Sequence, residues 1–219
     1  MKQNIALILI ASLFLLSCKK DKIEGDGPIV TEKINVKNFY GINISTSSKV
    51  YITQGNTFEV QVKVYENLLP SLTTTVEDGT LHITYKINSN INNDNSEFYI
   101  TMPSLTGLAL SGNGSIETKG QFIGSENFVI NASGSGVISM GNGSANNLRI
   151  IIDGSSNVKT FGFPVQRAEI TLGGSGNAEV NVAKTLNATI NGSGNIYYKG
   201  AAESITSKIT GSGQVINAN

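Results

Sequence analysis

Tryptophan is absent from the sequence, histidine and cysteine occur once each, and charged residues make up only 15% of the chain. Each shortage closes off a class of function. His82 and Cys18 alone cannot assemble a His/Cys zinc site or a Cys–His nucleophile. One thiol forms no intrachain disulfide, so stability has to come from strand pairing and an apolar core. Lys and Arg number 16, as do Asp and Glu, which leaves no bulk field to attract nucleic acid. Good helix formers are scarce, while glycine (24 of 219 residues), Asn, Ser, Thr, Ile and Val are plentiful. That balance predicts an all-β protein of one or two domains.

Long apolar runs are also missing, with one exception. Ile5 to Leu16 follows Lys2 and ends at Ser17-Cys18. The run is too short for an ordinary membrane span and has the shape of an export signal. Leu15-Leu16-Ser17-Cys18 resembles the bacterial lipobox, whose cysteine is lipidated and becomes the first mature residue. The competing readings are a plain signal peptide with an incidental cysteine, or a buried cysteine in a cytosolic chain. The sequence therefore divides into a lipoprotein signal peptide and lipobox (1–18), a flexible polar tether (19–28), a less regular β region (29–107) and a repeat region (108–219), with Cys18 as the lipidation site.

In the less regular half, Phe58, Val60, Val62 and Val64 alternate with Glu59, Gln61 and Lys63, the pattern of a strand buried on one face. Glu66 to Leu72 is the one place for a short helix or turn, limited by Pro70. Glu77-Asp78-Gly79 predicts a hairpin turn into a strand carrying Leu81, Ile83 and Tyr85. Asn88 to Ser96 reads as a loop, and Phe98 to Met102 as a strand ended by Pro103.

From Leu108 onward one phrase returns six times, with first glycines at Gly112, Gly134, Gly154, Gly174, Gly192 and Gly211, spaced by 22, 20, 20, 18 and 19 residues. A period near twenty is the signature of a solenoid. Aligned on those glycines, three columns are predominantly apolar: Leu108, Ile130, Ile150, Ile170, Ala188 and Ser207; Leu110, Ala132, Ile152, Leu172, Ile190 and Ile209; and Ile116, Ile138, Val158, Ala178, Ile196 and Val215. They are predicted to face inward across a Gly-Ser-Gly corner, with a second corner at Gly120, Gly162 and Gly200 and near Gly141 and Gly143. Two corners and two strands make one coil of a single-stranded β-helix. Asn157, Asn177 and Asn195 fall in one column and predict a structural amide ladder. Gly192→Val is expected to lower stability. Ile42, Ile44, Val50 and Ile52 follow the same columns with Thr46 and Ser48 in place of glycines, as a degenerate rung or cap.

These phrases, preceded by Val50-Tyr-Ile-Thr-Gln54-Gly55, Val64-Tyr-Glu-Asn67 and Val76-Glu-Asp-Gly79-Thr-Leu81, resemble the head GIN domain family of auto-transporter-like adhesins from Ile34 to Asn219. The resemblance implies a β-helix similar in shape to pectin lyases but without their catalytic residues. It also implies a role in cell adhesion, suggested by analogy with autotransporter adhesin heads. The family has no established catalytic or ligand site to transfer.

A β-helix raises the prospect of polysaccharide chemistry, and the columns argue against it. The outward column Glu117, Ser139, Lys159, Glu179, Tyr197 and Ile216 holds no pair of carboxylates on neighbouring rungs; Lys159 and Glu179 read as a surface ion pair. Gly173 to Ala178 approaches the calcium-binding nonapeptide repeat, but Ala178 stands where the ligating Asp belongs, so no metal or cofactor is expected. His82, flanked by Leu81 and Ile83, reads as a solvent-facing strand residue. The resulting expectation is a non-enzymatic protein of the cell envelope, lipid-anchored to the outer membrane, that binds a surface protein or glycan through outward faces. The alternatives are a polysaccharide lyase or hydrolase with its site in the N-terminal half, or a purely structural envelope component. Lys19-Lys20-Asp21-Lys22 leaves both the periplasmic and the surface-facing side open, and homo-oligomerisation through exposed strand faces is open too.

Overall fold

The computed structural model describes residues 21–219 except Asn88. The segment expected to be a signal peptide and lipobox, with Cys18, lies outside the described residues. Parallel strands stack in the register the glycine columns predict. Leu108 pairs with Ile130, Ile130 with Ile150, Ile150 with Ile170, and Ile170 with Ala188. Across the corner, Ile116, Ile138, Val158, Ala178 and Ile196 align in the same way. All of these are buried. The protein is a single-stranded β-solenoid, as the period predicted.

Glycine recurs because the corners touch through backbone. At Gly134 (φ 101°) the chain turns in the left-handed region, and the nitrogen and carbonyl of Gly112, whose own φ is 130°, lie against the place a Cβ would occupy. Any side chain there would enter the preceding corner. The asparagine column sits beside these turns as a ladder. The Asn177 amide donates to Asn157 Oδ1 at 3.0 Å, and the backbone N–H groups of Asn195 and Gln214 donate to Asn177 Oδ1 and Asn195 Oδ1.

Ser156 is the exception among the corners of the six repeats. It occupies a second-glycine position, is fully buried, and its hydroxyl has no hydrogen-bond partner. An unpaired buried hydroxyl destabilises by about 1–3 kcal/mol. Ser156→Ala keeps a Cβ the corner already accommodates and removes that cost. We expect a gain of about 1 kcal/mol, read as a higher urea midpoint at unchanged slope.

The region 29–107 contributes rungs as well as a cap. Gly41–Ile44 and Lys49–Gln54 stack on Gly107–Gly112 and Ser115–Lys119, so the degenerate phrase at 42–52 is a true rung. Its corner works without glycine because Thr46 and Ser48 turn their hydroxyls toward each other at 2.6 Å and onward to Ser96. Ser96 bonds Asp94, which also accepts from Tyr85. Burial, followed by the nearby Asp94 charge, holds the Tyr85 phenol well above its usual range. On the outer side of this rung lies another, formed by Thr80–Tyr85 and Glu97–Met102. The spatial order of these two rungs thus reverses their order in the chain.

The stack is closed at this end by antiparallel strands. Leu72–Glu77 pairs with Thr80–Tyr85, and Glu59–Tyr65 lies between Glu97–Met102 and Ile29–Lys33. Val60, Val62 and Val64 face the core, and Glu66–Ser71 forms a 3-10 turn beside it. Asp78 (φ 47°) and Gly79 (φ 71°) supply the positive φ values of the hairpin turn.

Two expectations are corrected in this region. Asp21–Glu24, assigned to the flexible tether, is a strand, and Ser89–Asn92, assigned to a loop, is its parallel partner. The Asn-rich segment lacks alternation, so pattern gave no signal. What holds it is backbone pairing, together with the Asn93 amide donating to the Gly25 carbonyl. The last repeat also departs from the column rule. Ser204–Thr210 is exposed along its whole length, with Ile205 41% and Ile209 43% accessible, because no further described strand pairs with it.

Candidate functional site

Because corners and inward columns are occupied by architecture, the outward columns carry whatever side-chain chemistry the solenoid offers. Two sheet faces differ. On the face of Lys49–Gln54, Tyr51 and Tyr99 stack 5.3 Å apart, and Lys119 covers Tyr51 at 5.7 Å. Ring faces are thereby used within the stack. Glu97 accepts from Tyr99 and is flanked by Lys49 and Lys63 at 3.7 and 3.9 Å. That bond is the leading cause of the raised Tyr99 phenol, followed by slight burial and the Glu97 charge.

The other face contains the candidate site, a shallow depression of about 440 Å³ running across the strands at residues 127–129, 147–149, 167–169, 185 and 187. Inward-pointing Phe128, Leu148 and Ala168 form its buried floor. The alternating residues point outward. Asn127, Asn147, Arg167 and Thr185 make one column, and Val129, Arg149, Glu169 and Asn187 the next. The Asn147 amide donates to Asn127 Oδ1 at 3.1 Å, and Glu126 accepts from Asn146 at 2.8 Å.

Glu126 and Glu169 are two rungs and three residues apart in register, which separates their Cα atoms by about 14 Å, and the Asn146 and Asn147 amides hold the Glu126 carboxylate; the two acids are not set side by side as a glycosidase pair would be. In the N-terminal half, Asp94 Oδ1 accepts from Tyr85 and Ser96 while its Oδ2 is buried without a hydrogen-bond partner, and Glu97 is held by two lysines and Tyr99.

The remaining sequence candidates fall as follows. Lys159 and Glu179 are cross-strand neighbours as expected, but among the described residues they do not form an ion pair; the pairs present are Lys49–Glu97, Lys63–Glu97 and Lys119–Glu117. An exposed pair gains little over hydration, so adjacency alone does not bring the charges together. His82 lies outward on its strand, half-buried, 3.3 Å from the Asn43 amide. Among the described residues no group of three or more His, Cys, Asp or Glu is placed to hold a metal, and no helix is long and apolar enough to cross a membrane. Arg149 and Arg167 were not singled out from sequence. The available signal was that they are the only arginines in the chain.

A solved structure described as "a putative adhesin" from Bacteroides fragilis superimposes with a TM-score of 0.75 at 21% identity, covering 89% of this chain and 99% of that one. Another "putative adhesin", from Parabacteroides merdae, gives 0.57 at 22% identity over 91% and 100%. A "putative lipid binding protein" from Parabacteroides distasonis gives 0.56 at 24% identity over 91% and 100%. These likenesses establish a shared fold. Among curated proteins no relative matches the chain. Residues 38–202 match the family described as "Putative auto-transporter adhesin, head GIN domain". The corner glycines from Gly112 to Gly200 and the capping rungs from Gly41 to Met102 all fall inside that match, and the chain belongs to this head GIN domain family.

Proposed function

We propose that the protein is a non-catalytic, lipid-anchored adhesin of the outer membrane that holds a protein or glycan partner on an outward strand face. The observation that carries this reading is the division of labour within each rung. The recurring phrase is consumed by corners and core, while the face at 127–187 presents a continuous, mostly polar set of side chains over a rigid floor. Rigid, pre-formed surfaces bind at low ordering cost. Family membership supports the adhesive role, and the lack of a close carboxylate pair at this face speaks against the hydrolase alternative.

Cells producing the intact precursor should retain the protein in the membrane fraction with an acylated Cys18, and Cys18→Ser should release it into the soluble fraction. Fractionation with mass spectrometry of the mature N-terminus checks the anchor. Arrays of glycans and matrix proteins probed with the purified protein check the adhesive role. Unchanged membrane retention of Cys18→Ser would refute the anchor, and an absence of any binding would refute the adhesin.

A further inference from the structure

The depression on the outward face has one compositional peculiarity. Of the 16 basic residues in the sequence, only Arg149 and Arg167 are arginine, and both line it. In register Arg149 stands opposite Glu169, and Arg167 opposite Asn147. One rung and two residues separate the arginines, placing their Cα atoms about 8 Å apart. Both are exposed. Neither takes part in an ion pair among the described residues; the three that form there are made by Lys49, Lys63 and Lys119, on other strands. Two arginines outside any ion pair, with only Glu169 beside them in register, give one sheet face guanidinium donors, each of which matches a planar carboxylate better than a lysine ammonium would.

The surrounding chemistry narrows the ligand further. Asn127 and Asn147 form a bonded amide pair on one side, and Thr185 and Asn187 continue the columns on the other. Val129, 37% accessible, is the main apolar side chain that reaches the surface. Protein partners draw affinity chiefly from aromatic and other large anchors seated in apolar pockets, and this floor is sealed. Amide, hydroxyl and guanidinium groups instead suit a ligand whose edges are hydroxyls with an occasional acid. Glu169, directly opposite Arg149 and two residues along the strand from Arg167, repels a dense anion and so favours widely spaced carboxylates over clustered sulfates.

We propose that this depression binds the carboxylate of a uronic acid residue within an acidic glycan, Arg149 and Arg167 holding the carboxylate and the amide and hydroxyl columns holding ring hydroxyls. The inference rests on the adhesin reading and names its ligand. Calorimetric titration of the purified mature protein at low ionic strength tests it, with tetragalacturonate, its fully methyl-esterified counterpart, a hyaluronan tetrasaccharide and a hexaglutamate peptide as probes. At least one of the two acidic glycans should bind. Esterification should weaken tetragalacturonate binding at least tenfold. Arg149→Gln with Arg167→Gln should do the same to whichever glycan binds, with thermal melting unchanged because both side chains are exposed. Glu169→Gln should tighten binding several-fold. No binding of either acidic glycan, equal binding of ester and acid, an unaffected double variant, or stronger binding of hexaglutamate would each overturn the proposal. If other partners on the arrays still bind, only this assignment falls; if nothing binds, the adhesin reading falls with it.

Discussion

Gly192→Val should cost the protein more than about 3 kcal/mol and leave little folded material at modest urea concentrations. An added Cβ at this position meets the carbonyl oxygen, carbonyl carbon and Cα of Gly174 in the rung before it. Those atoms belong to another corner that is itself seated on Gly154, so no flexible side chain can move aside. Separating the corners would lengthen hydrogen bonds that join them, including those from the backbone N–H groups of Ser193 and Gly194 to the Gly174 carbonyl. The informative control is Gly124→Ala. Gly124 has φ 84°, but no atom lies within 4 Å of where its Cβ would stand, so it should lose only the backbone term of about 1–2 kcal/mol. Denaturation of both variants side by side separates stacking from conformational strain. Melting of Gly192→Val like the wild type would break the coil assignment.

Phe163→Ala is the second large effect, an expected loss of about 3–5 kcal/mol. Phe163 and Phe128 are buried, with ring centroids 5.0 Å apart and planes tilted by 57°. The Phe163 ring also lies 2.6 Å from where a Cβ of Gly143 would stand. The aromatic ring therefore fills space that a glycine leaves open one rung away. Removing it opens a cavity that backbone stacking at a fixed spacing cannot collapse to fill. Urea denaturation should show a lower midpoint with little change in slope, and an effect below about 1 kcal/mol would contradict this packing.

The solenoid was legible in sequence because its determinants repeat. Backbone contact favours glycine at one corner and again at most of the others, and an inward column must stay apolar wherever rungs lie on both sides. The same reasoning recovered the rung at 42–52 although Thr46 and Ser48 replaced its glycines, since Ile42, Ile44, Val50 and Ile52 kept their columns. It could not place the rung of Thr80–Tyr85 and Glu97–Met102. Those strands alternate correctly, but nothing in alternation says which neighbour a strand takes. Pairing without burial was equally silent, as Asp21–Glu24 with Ser89–Asn92 illustrates. Outward residues escape the periodicity altogether, so Arg149 and Arg167 gained meaning only once register brought them to one depression.

The reversed order of the first two rungs gives the molecule unequal resistance to tension at its ends. Pulled from the C-terminal side, Val215–Asn217 and then Ser204–Thr210 peel one rung at a time, each held along one edge only. Pulled from the N-terminal side, Asp21–Glu24 and then Ile29–Lys33 each strip from a single partner, but Gly41–Ile44 is clasped between Thr80–Tyr85 and Gly107–Gly112. It cannot leave without breaking two ladders together. A load entering through the N-terminus would therefore be borne by a clamp, and the repeats beyond it would remain folded while the clamp held.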